Sequence, residues 1–186
     1  MADKSHSVLL VVDVQKAFND VSWGERSNQT AESHIAELIT LFRQNKIDVI
    51  HIKHQSNNPE SLFYPERITS EFKSEATPLK NELILTKTVN SAFIGTNLEE
   101  ILHEKGITKL YIVGLTTPHC ISTTTRMAAN LGFKCYLVED ATASFELIGH
   151  TGIKYSANEV QELTIVTLNE EFAEILSTSQ VQEQFE

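Results

Sequence analysis

Cysteine is scarce in this chain: its 186 residues include only Cys120 and Cys135. Two thiols do not make a disulfide framework, which excludes a small disulfide-held scaffold. Proline and glycine are also sparse, at 4 and 7 residues, and no Gly/Ser- or Pro-rich linker divides the sequence. Residues 1–186 are therefore expected to form one domain, long enough for a sizeable core. Positive charge is in deficit, with 15 Lys and Arg against 25 Asp and Glu and a net charge of -10. Nucleic acid and anionic membrane both need a basic face, so neither is expected as a partner. Long hydrophobic runs are missing as well. The apolar run before Asp13 is only Val8 to Val12, too short for the apolar region of a signal peptide, and no stretch approaches transmembrane length. A cytoplasmic protein is expected.

What is present is a repeated order of strand and helix. "SVLLVVDV" is a continuous apolar run, as in a strand covered on both faces. Between Thr30 and Asn45, Ile35, Leu38, Ile39 and Phe42 recur at helical spacing. "KIDVIHIKH" and "NELILTK" read as the second and third strands. "TNLEEILHEKG" is a short helix with Thr96 as N-cap, Glu99 three residues on and Gly106 as its stop. "KLYIVGL" is the fourth strand, "PHCISTTTRMAANLG" a helix and "FKCYLVED" the fifth strand. "LTIVTL" reads as the sixth, followed by a helix around "NEEFAEIL". Residues 55–78 are irregular, with a short helix expected near Ile68 to Phe72. Alternation of this kind implies a parallel sheet with helices on both faces, and ligands then bind beyond the carboxyl ends of the strands.

That rule selects Asp13, Lys87 and Cys120, which end or follow strands one, three and four. Pro118 suits the first helical position and Thr117 the N-cap, so Cys120 falls in the first turn of a helix. Free N–H groups and the helix dipole there lower a thiol's pKa and supply donors to an oxyanion. An isolated cysteine is otherwise a small buried hydrophobe. Asp13 is either a solvated strand end or a proton acceptor for the thiol. Lys87 is either a snorkelling surface lysine or a charge that steadies both. Spacing alone does not choose between these roles. Phe18 and Trp23 follow strand one on the same rim and are candidates for an apolar wall. His51 and His54 point to opposite faces of a strand and cannot readily share one ion. His54, near the strand end, can line the pocket. His119 diverges from Cys120 by roughly 100° on a helix, so it belongs at the pocket edge. Cys135, within strand five, is a core residue.

The stretches "VVDVQKAF", "LTKTVNSAFIGTNLEEIL" and "IVGLTTPHCISTTTRMAANLGF", in this order, resemble the isochorismatase-like cysteine hydrolases, which include nicotinamidases and carbamoylsarcosine amidohydrolases. The likeness runs from about Val8 through "EDATASF", with a weaker tail. It implies a three-layer α/β/α fold with strand order 3-2-1-4-5-6 and a triad of Asp13, Lys87 and Cys120. It also implies a cis peptide at Leu115–Thr116 and an oxyanion hole from the N–H groups of Thr116 and Cys120. Relatives are commonly oligomers, so a homo-oligomer is expected.

The activity so implied is hydrolysis of a C–N bond in a small amide or ureido compound through a thioester. True isochorismatases of this fold lack the cysteine nucleophile, so Cys120 argues against vinyl-ether cleavage. Nicotinamidases carry Asp-x-His and a further His after strand two to bind a metal. "VIHIKHQSNNPESLF" lacks that pattern, and neither metal nor cofactor is expected. The alternative is a binding module that kept the fold and lost turnover. A dinucleotide-binding protein is disfavoured, because "DVQKAF" stands where Gly-x-Gly-x-x-Gly would follow strand one.

Overall fold

A computed structural model of the chain describes residues 5–185, so residues 1–4 and 186 of the expected domain lie outside the described residues. The chain runs β1 (Ser7–Val12), α1 (Ala31–Gln44), β2 (Asp48–His54), β3 (Leu83–Lys87), α2 (Leu98–Glu104), β4 (Lys109–Leu115), α3 (Ser122–Asn130) and β5 (Lys134–Ala143). A two-stranded hairpin follows, β6 (Leu147–Ile148) with β7 (Lys154–Tyr155), and then α4 (Ala157–Leu168), β8 (Glu174–Leu176) and α5 (Thr178–Phe185). Six strands form one sheet in the order β3-β2-β1-β4-β5-β8, and every pairing in it is parallel. No helix among the described residues is long and apolar enough to cross a membrane.

β1 lies at the centre, which explains its unbroken apolar composition: successive side chains feed opposite layers. Val8, Leu10 and Val12 join Leu98 and Leu102 of α2, Ala128 of α3 and Ile165 and Leu168 of α4. Leu9 and Val11 join Ile35, Leu38, Ile39 and Phe42 of α1 with Val181 and Phe185 of α5. The α1 stripe read from spacing is thus the buried face, and Phe42→Ala there would cost about 3–5 kcal/mol.

The end of the chain corrects the sequence reading. "LTIVTL", residues 163–168, is the second half of α4 rather than the sixth strand. Its β-branched residues favour a strand, but a complete capping box begins a helix just upstream. The Ser156 hydroxyl accepts from Glu159 N–H, and the Glu159 carboxylate accepts from Ser156 N–H. The helical register then buries Val160, Ile165 and Leu168 while Leu163 and Val166 are each 59% exposed. In a strand Leu163 and Ile165 would share a face; here they do not. "NEEFAEIL" is likewise no helix: it contains β8, which pairs with β5 as the sixth strand, and the terminal helix is α5. Two caps shift by one residue, from Thr96 to Asn97 for α2 and from Thr117 to Thr116 for the turn that carries Cys120. Leu98 N–H still donates to the Thr96 hydroxyl. The short helix expected near Ile68 is one 3-10 turn, Ile68–Ser70.

Candidate active site

The site is built at the carboxyl edge of β1 and β4, and a glycine lets the two come close. Gly114 pairs with Val12 and has φ 126, and a Cβ at this position would lie 2.0 Å from the Val12 carbonyl oxygen. No other residue fits so close a backbone approach. Directly beyond it the Leu115–Thr116 peptide is cis, and Thr117–Ile121 form a single π-helical turn before α3. On β1 the chain turns at Asp13, where φ is 55, and Asp13 N–H donates to the Ile52 carbonyl. Asp13 and Cys120 therefore face each other at the sheet centre.

Lys87 comes from farther off. It ends β3, two strand spacings or roughly 10 Å from β1, and reaches past the end of β2. Its Nζ donates to Asp13 Oδ2 at 2.5 Å, to the Val89 carbonyl at 3.1 Å and to Cys120 Sγ at 3.3 Å, with His54 Nδ1 at 3.2 Å. The Lys87 and Asp13 side chains are 0% and 1% exposed, so this is no snorkelling surface lysine. Asp13 Oδ1 is buried and takes no well-formed hydrogen bond, although the Cys120 thiol lies close enough to the carboxyl to interact with it. It is an acceptor positioned for a proton.

The electrostatics correct one expectation. Burial, and then the Asp13 charge, push the Cys120 thiol up to about 12, against the weaker pull of Lys87. Desolvation disfavours the charged thiolate and so opposes the lowering expected at the start of a helix. Burial also raises the Asp13 carboxyl above its ordinary value, although Lys87 pulls it down. His54 is held down to about 4, by burial first and Lys87 second. Burial lowers His119 as well.

The aromatic wall is larger than the sequence suggests. Phe18 packs on Trp23 at 5.2 Å, on Phe63 at 5.3 Å and on Phe145 at 6.1 Å between ring centroids. Trp23 Nε1 donates to the Ala17 carbonyl. Phe63 meets the edge of His54 at 5.0 Å, which joins the wall to the Lys87 cluster. His119 is exposed at its outer side but partly buried at the ring Nδ1, which lies 3.0 Å from the Thr116 hydroxyl. His51 turns to the opposite face, where its Nε2 meets Glu82 at 3.0 Å. Cys135 is buried in β5.

Sequence reasoning missed Phe63, Phe145 and Gln15. Gln15 stands two residues after Asp13; its amide donates to the His54 and Ser70 carbonyls and accepts from His54 N–H. A polar amide two residues past Asp13, where the chain leaves β1, was a usable signal. Phe63 lies in an irregular segment and gave none.

One Asp13 oxygen, one His54 ring nitrogen and Cys120 Sγ all lie within 4.8 Å of one another, a set that could hold a metal ion. The Lys87 ammonium, however, contacts all three residues. A cation would have to displace it.

Comparison with known proteins decides the family. Residues 7–180 match the isochorismatase domain. The chain belongs to the isochorismatase family. The isochorismatase-family protein YrdC of Bacillus subtilis is 50% identical over 173 residues, 93% of this chain and 92% of the relative. An isochorismatase-family structure from Chromobacterium violaceum has a TM-score of 0.96 and 34% identity, covering 100% of this chain and 96% of its own. The ureidoacrylate amidohydrolase RutB of Variovorax paradoxus is 24% identical over 173 residues, 74% of this chain and 69% of that one. Isochorismatase-family members are hydrolases, and amidohydrolases are among them.

Proposed function

We propose that the chain is a cysteine hydrolase that cleaves a C–N bond in a small amide or ureido compound through a thioester on Cys120. The observation that carries this reading is the buried ammonium of Lys87, bonded to Asp13 and Cys120 together. The thiol proton passes to Asp13 as sulfur attacks the carbonyl carbon. Deprotonation concerted with attack suits a thiol whose pKa is about 12, because no free thiolate need accumulate. Lys87 holds the carboxylate and favours negative charge on sulfur. The backbone N–H groups of Thr116 and Cys120 receive the oxyanion.

As the C–N bond breaks, Asp13 returns its proton to the leaving nitrogen, which departs as ammonia or an amine. Water then adds to the thioester carbonyl, Asp13 takes its proton, and C–S cleavage returns that proton to sulfur. The carboxylic or carbamic acid leaves and the enzyme is restored. Phe18, Trp23, Phe63 and Phe145 would exclude bulk water and contact an uncharged substrate face.

A panel of primary amides, ureido acids and carbamoyl compounds, assayed for released ammonia, tests the reading. Turnover by the native chain is expected to vanish in Cys120→Ser and Asp13→Asn. Ammonia release at an unchanged rate in Cys120→Ser would overturn it.

A further inference from the structure

We infer that Gln161 is a positioning residue for the nucleophile turn, an inference that rests on Cys120 being the nucleophile. Gln161 lies on α4, outside the triad, and is 9% exposed. Its Oε1 accepts from the hydroxyls of Thr117 and Ser144, each at 2.7 Å, and its Nε2 donates to Thr142 Oγ1 at 3.1 Å.

The direction of the amide follows from its neighbours. Thr142 gives its hydroxyl hydrogen to the Glu139 carbonyl, so towards Gln161 it can only accept. The NH₂ group must face Thr142, which leaves the amide oxygen for Thr117 and Ser144. Both of their hydroxyls are thereby committed as donors, and the network is satisfied at every member.

The three anchored segments are the ones whose relation matters. Thr117 follows Thr116 and opens the turn that ends one residue past Cys120. Thr142 pairs with Gly114, and Ala143 with Leu115. Ser144 precedes Phe145 of the aromatic wall. One buried amide thus ties the oxyanion-hole segment to the end of β5, on which that segment lies. A slackened tie would move the Thr116 and Cys120 N–H groups relative to the attacked carbon, without removing any group that touches substrate. Alignment of this kind is felt in the transition state more than in ground-state binding.

The test uses the full chain and the best amide of the panel. Gln161→Met keeps the length and loses the hydrogen bonds, and Thr117→Val keeps the shape and loses the donor. Each is expected to lower kcat about 10- to 100-fold with KM within about threefold, in protein whose far-UV circular dichroism is native. Thr117→Ser, which keeps the hydroxyl, should recover most of the loss. The double variant should be little worse than either single one, because both remove the same tie.

Unchanged kcat in folded Gln161→Met, or a rise in KM alone, overturns the inference. Should Gln161→Met not fold, the contrast between Thr117→Val and Thr117→Ser decides it, and equal kcat in these two overturns it. Activity that persists in Cys120→Ser would instead remove the nucleophile assignment itself, and this inference with it.

Discussion

Replacing Lys87 by Met removes one member of a fully buried ion pair and leaves Asp13 with no compensating charge. At the N–O distance of 2.5 Å two unit charges attract by roughly 7 kcal/mol with an effective dielectric constant of about 20. Desolvation of both groups offsets much of this, and removal of one partner of a buried pair costs about 3–5 kcal/mol. That is the loss of unfolding free energy expected for Lys87→Met at pH 7. The loss should depend on pH in a definite sense. Burial already raises Asp13, and Lys87 is what pulls it back, so its pKa rises further in the variant. A group raised on folding contributes stability below its unfolded pKa and loses that contribution as pH rises through the folded one. The deficit relative to the native chain should therefore be small near pH 4 and grow towards pH 7. Asp13→Asn/Lys87→Met, a neutral pair, should recover most of the stability and none of the activity. Urea unfolding followed by circular dichroism, with each variant compared with the native chain at the same pH, makes the measurement. A deficit below about 1 kcal/mol, or a double variant as unstable as Lys87→Met, would refute the reasoning, since either is incompatible with a stranded buried charge.

Gly114→Ala should not yield folded protein, because its Cβ would meet the Val12 carbonyl at 2.0 Å; a native circular dichroism spectrum and melt would contradict the close approach. Stability should fall between pH 6.5 and 4. Over that range unfolded His54 binds a proton that the folded residue, at about 4, refuses; a shift this large is worth about 3 kcal/mol. Below it, Glu32 and Glu82, each held down to about 2, extend the loss from pH 4.5 towards 2. The slope above pH 4 should shrink in His54→Asn, and an unchanged slope would place its origin elsewhere. Amide hydrolysis should survive exhaustive chelation, because Lys87 stands among the three candidate ligands; loss on chelation with recovery on adding zinc would mean the ammonium is displaced.

The central sheet and the meeting of Asp13, Lys87 and Cys120 on one rim were legible in the sequence because local signals agreed with the fold. Asp13, Lys87 and Cys120 each follow an apolar run, and parallel topology brings such ends to one rim. The region after β5 was not legible in the same way. Residues 163–168 carry strand propensity, and only the capping box at Ser156 and Glu159 argued for a helix. Missing that helix hid Gln161, whose role exists only in helical register. The thiol's pKa was misjudged for a different reason. A helix N-terminus is visible in sequence, but the burial that raises the thiol depends on the packing of the whole site.

The most direct test of the account is to trap the acyl group. A slowly hydrolysed amide from the panel, quenched in acid during turnover and examined by intact-protein and peptide mass spectrometry, should leave on Cys120 an adduct of the substrate mass less that of the released amine. The adduct should be absent in Cys120→Ser. Steady turnover with no adduct in the native chain, or an adduct on Cys135 or any other residue, would contradict nucleophilic attack by Cys120.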